Sequence, residues 1–60
     1  MNTEEKTKVE KILTNAVMFA EIKLDRMKEL FENEEGNLIV EQDAATLADL
    51  QFALRVIKNA

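Results

Sequence analysis

The chain has 60 residues, a formal net charge of −4, one third of its residues charged, and no Cys or His. A chain this short forms one domain at most and leaves a large share of its apolar surface in water, with neither a disulfide nor a Cys/His-bound metal available to brace it. Ser is absent as well, which excludes Ser, Cys and His nucleophile or base machinery, and the negative charge works against unselective binding to phosphate backbones or anionic lipid.

The amino-terminal stretch MNTEEKTKVEK lacks the apolar core of a signal peptide, and no apolar run approaches the ~20 residues needed to span a bilayer. The expectation is a soluble, cytoplasmic protein with no membrane partner. Asn2 followed by Glu5 matches an N-cap with a capping-box acid, and Glu4 and Glu5 suit the positive end of a helix dipole, so a first helix is predicted from about residue 3. Val9, Leu13, Val17, Ala20, Leu24, Met27 and Phe31 recur at alternating intervals of three and four, the pattern of a helix packed lengthwise on another. Nothing interrupts before Gly36, read as a left-handed stop, so the helix is predicted to run to about residue 34, roughly 45 Å at the α-helical rise.

The connector, placed at about residues 35–42, contains Leu38, Ile39 and Val40. It is read as an extended segment folded over the bundle end, the alternative being the first turn of the next helix. Asp43 is then the N-cap of a second helix over about residues 43–58, with Leu47, Leu50, Leu54 and Ile57 on one stripe and Arg55 and Lys58 near its carboxyl end. Two helices and a short connector make one antiparallel hairpin domain over residues 1–60, of the all-α class, with unequal arms.

Both helices carry more apolar surface than one neighbour covers. Ile12, Ala16, Phe19 and Leu30 widen the first helix's apolar arc to about 160°, against the ~100° stripe of a helix with one partner, and Met18 and Ile22 fall among charges on the far side. Behind the leucine stripe of the second helix lies another, made by Ala45, Ala48, Phe52 and Val56. A second helix of ~16 residues would also leave about half of the first one bare. These surpluses predict a homo-oligomer, in its simplest form a dimeric four-helix bundle, with Ile12, Ala16, Phe19, Phe52 and Val56 at the interface between copies. The alternative is a three-segment monomer in which the first helix bends or breaks near Asn15.

Little in the chain carries catalytic chemistry. The carboxylates Glu21, Asp25 and Glu29, spaced four apart on a helix, read as a solvated face, and no threonine or lysine sits in an activating context. The stretch FENEEGNLIVEQ puts Asn33, Glu35 and Gly36 at calcium-loop positions. It fails at the two decisive ones, where Phe31 stands for the first acid and Gln42 for the bidentate Glu. No catalytic residue, metal ligand or cofactor is therefore assigned. From Glu29 to Asp43 the chain holds six acidic residues and no basic one, so the tip, with Glu32, Glu34 and Glu35, is a candidate docking site for a basic protein surface, as is the Met18 and Ile22 pair.

The resulting expectation is a non-enzymatic protein acting through protein–protein contact, a small regulator, inhibitor or adaptor of the kind bacteria and phages encode. The competing class is a small-ligand or nucleotide binder using Lys23, Arg26 or Arg55 between chains. A nucleic-acid-binding hairpin dimer ranks behind both, because Lys6, Lys8 and Lys11 alternate with Glu4, Glu5 and Glu10.

Overall fold

The computed structural model describes residues 1–32 and 36–60, which form an antiparallel hairpin of two helices with no strand among them. Helix α1 spans Thr3–Leu30 (28 residues) and α2 spans Leu38–Lys58 (21 residues). The long extent of the molecule is 47 Å, against 15 and 11 Å across it.

Helix α1 opens on the expected capping box. The Asn2 side chain accepts from the Glu5 N–H at 2.8 Å, while the Asn2 N–H donates to Glu5 Oε1 at 3.4 Å, so two of the first turn's orphan donors are satisfied reciprocally. The helix is continuous through Asn15, where the three-segment alternative placed a bend or break, and the described residues form two helical segments, not three; nearby, Thr14 Oγ1 donates back to the Glu10 carbonyl at 2.7 Å. It stops at Leu30, short of the predicted residue 34. Phe31 is its C-cap, with a backbone N–H donating to the Met27 carbonyl at 3.0 Å.

The start of α2 corrects the sequence reading. Residues 38–42 are helical, and the N-cap is Asn37 in place of Asp43: the Asn37 side chain accepts from the N–H groups of Ile39 at 2.9 Å and Val40 at 3.3 Å. Two physical facts select this start. An Asn side chain caps as well as an Asp one. Val40, Leu47 and Leu54 also stand seven apart, as do Asp43, Leu50 and Ile57, so beginning at Leu38 adds a further turn to the inward stripe. Gly36 has the expected left-handed backbone, φ +67°, but lies well past the end of α1. It turns the chain into Asn37 and is not the stop of the first helix.

The longer α2 also narrows the expected mismatch between the arms, to 28 residues against 21. Lys23 Nζ meets Asp43 Oδ1 at 3.3 Å and Lys6 Nζ donates to the Ala60 carbonyl at 2.6 Å, so α2 runs back along α1 to its second turn. Half of α1 is not left bare. The inner stripes meet as read: Val9, Leu13, Val17, Ala20, Met27 and Phe31 are half-buried against Val40, Leu47, Leu50, Leu54 and Ile57. Yet among the described residues only Leu24, 7% exposed, is a buried hydrophobic.

Candidate interaction surface

A two-helix seam covers one stripe of each helix and leaves the rest of each cylinder to solvent. On α1, Ile12, Phe19 and Leu30 are exposed and Ala16 half-buried; at 100° per residue they stand about 50–120° around the helix from the inner stripe and form one flank along its length. Phe19, at 73% exposure, is the most open of them. Further round the same helix, Met18 and Ile22 join Phe19 and Asn15 in a shallow depression of about 320 Å³. The structure thus groups one residue expected between copies with two expected to meet an external partner.

On α2, Leu38, Phe52 and Val56 are exposed. Phe52 stands about 180° from the centre of the inner stripe of α2, so it faces away from α1 and shares no flank with Ile12 and Phe19. The Arg55 guanidinium lies over the Phe52 ring at 5.9 Å from its centroid, within cation–π range. The five residues expected at one interface therefore occupy two separate surfaces.

The tip of the hairpin carries a second depression, about 390 Å³, lined by Lys28, Phe31, Glu32, Gly36, Asn37, Val40 and Glu41. Glu32 is exposed there. Glu34 and Glu35, the other two acids of the expected docking site, lie outside the described residues, as does Asn33.

One group was missed by the sequence reading. Asp43, taken there for a cap, is turned into the seam, its side chain only 12% exposed beside a Lys23 side chain that is 66% exposed. Its Oδ1 pairs with Lys23, while Oδ2 is buried without a hydrogen-bond partner. The seven-residue spacing from Asp43 to Leu50 and Ile57 was the signal that placed it inward. No group of three or more acidic residues among those described is arranged to hold a metal ion, and no described helix is long and apolar enough to cross a membrane. No protein-family model, curated protein or solved structure matches the chain.

Proposed function

We propose that this chain is a non-enzymatic interaction protein that works as a homo-oligomer, in its simplest form a dimer of hairpins forming a four-helix bundle. One observation carries the reading. A compact monomer of 6.9 kDa exposes about 4,000 Å² by the size scaling of folded proteins, and this hairpin exposes 4877 Å². The excess, about 900 Å² per chain, is close to the ~800 Å² that each partner contributes to a standard interface. A chain with neither Cys nor His and one buried hydrophobic among its described residues gains its missing core most directly from another copy of itself.

The absence of Ser, Cys and His favours contact over turnover. A small regulator, inhibitor or adaptor fits that profile, with the Met18 and Ile22 depression or the acidic tip meeting a basic protein partner. An anion pocket between chains is the weaker reading, because two of its three candidate cations are engaged, Lys23 by Asp43 and Arg55 over Phe52, which leaves Arg26 alone to hold an anion.

Sedimentation equilibrium across the micromolar range tests the proposal. The expected result is a mass of two chains or more, with a melting temperature that rises with protein concentration. A one-chain mass with a cooperative, concentration-independent melt overturns it.

A further inference from the structure

Building on the homo-oligomer reading above, we infer that the second copy docks on the flank of α1 marked by Ile12, Ala16, Phe19 and Leu30, antiparallel about a two-fold axis between Phe19 and Lys23, and that the Phe52 stripe of α2 stays outside this contact.

Three observations single out this flank. First, it is a seam in its own right: positions 12, 16, 19, 23, 26 and 30 follow one another at alternating intervals of four and three, the spacing by which helices pack lengthwise. Second, of its two cations the central one, Lys23, is neutralised within its own chain by Asp43 at 3.3 Å, and the other, Arg26, stands at the rim of the arc, where its long stem lets the guanidinium keep its water. Third, the pattern complements itself when reversed. A two-fold contact requires that if one residue meets another, the second meets the first. An antiparallel pairing centred between Phe19 and Lys23 sets Ile12 against Leu30 of the second copy at both ends, and the small Ala16 against Arg26. At the centre it lays each Phe19 ring along the Lys23 stem of the other chain, a placement suited to both the apolar stem and the ring face.

The back of α2 lacks these properties. Phe52 already has the Arg55 guanidinium over its ring, and Arg55 has no acidic partner among the ion pairs of the described residues. Burying that stripe would desolvate the guanidinium that lies over its central ring, whereas the cation at the centre of the α1 flank, Lys23, is paired.

The test uses the full-length chain and two matched charge insertions at exposed aromatic positions, Phe19→Glu and Phe52→Glu, compared by sedimentation velocity at a concentration where the unmodified chain is dimeric. Phe19→Glu is expected to weaken association at least a hundredfold and to sediment as one chain, while Phe52→Glu sediments as a dimer. If Phe19→Glu still dimerises, or if Phe52→Glu dissociates too, this flank assignment is wrong while the homo-oligomer reading stands. If the unmodified chain is itself monomeric, the homo-oligomer reading falls first.

Because a dissociated variant can also lose its fold, orientation is read separately on an otherwise unmodified chain. The sequence has no cysteine, so Lys8→Cys gives a single spin-label site. The antiparallel arrangement places the two labels about 40 Å apart at the α-helical rise, whereas a parallel one brings them within about 20 Å. A short distance overturns the proposed axis regardless of how the charged variants behave.

Discussion

Leu24 and Phe19 stand five residues apart on one uninterrupted helix, yet one is 7% exposed and the other 73%. Helical geometry explains the difference. The two side chains leave the helix about 140° apart, and a single antiparallel neighbour covers only one of those directions. Inside the hairpin, then, the same kind of residue does two jobs. The inner stripe makes the hairpin a hairpin, and the outer flank leaves it incomplete.

The comparison breaks most readily at its buried end. Leu24→Ala should cost about 2–5 kcal/mol, the range for truncating a buried leucine, which is a large part of the stability available to a domain of this size. Chemical denaturation monitored by circular dichroism should show the loss at every protein concentration. Asn37→Ala removes the side chain that satisfies two N–H groups at the start of α2 and should cost about 1 kcal/mol, with local fraying read by hydrogen exchange at Ile39 and Val40. Asp43→Asn in the same experiment should leave those two amides protected, since Asp43 does not cap. Lys23→Met should cost about 1 kcal/mol: Lys23 itself is largely solvated, but its loss leaves the mostly buried Asp43 carboxylate unpaired, and denaturation midpoints of the variant and the unmodified chain decide it. The smallest effect belongs to the outward side of α2, where Phe52→Ala should stay within about 0.5 kcal/mol and leave the concentration dependence of melting unchanged. A loss of several kcal/mol there would place Phe52 in a core and merge the two surfaces separated above.

The heptad-like run from Val9 to Phe31 was legible because one period governs both the helix and its packing. The same rule made the leucine stripe of α2 readable, and the capping box at Asn2 was visible because both of its partners lie within four residues. The start of α2 was harder. Leu38, Ile39 and Val40 suit a strand by local preference, and Asp43 is as good a cap in isolation as Asn37, so the choice rests on tertiary packing: Val40 gains a place on the inner stripe, and Asp43 gains Lys23, twenty residues away in sequence. The surplus apolar faces could be listed from the sequence. Which of them share a surface could not, because that depends on the rotation of each helix about its own axis, fixed by contacts between residues far apart along the chain.

The hydrogen bond from Lys6 to Ala60 sets the two ends of the chain side by side, 2.6 Å apart at that contact and at the opposite extreme from the turn. This makes covalent tethering of two copies informative about their polarity. When paired hairpins point the same way, the tail of one lies near the head of the other, and a bridge of about five residues, reaching about 17 Å at full extension, joins them without strain. When they point oppositely, the bridge must cross roughly the 47 Å length of the molecule, which takes about 14 extended residues at the least. A tandem gene with a five-residue spacer should therefore fail to close on itself and instead chain into longer species. One with a flexible spacer of thirty or more should collapse into a single compact particle, held by the high effective concentration that tethering confers.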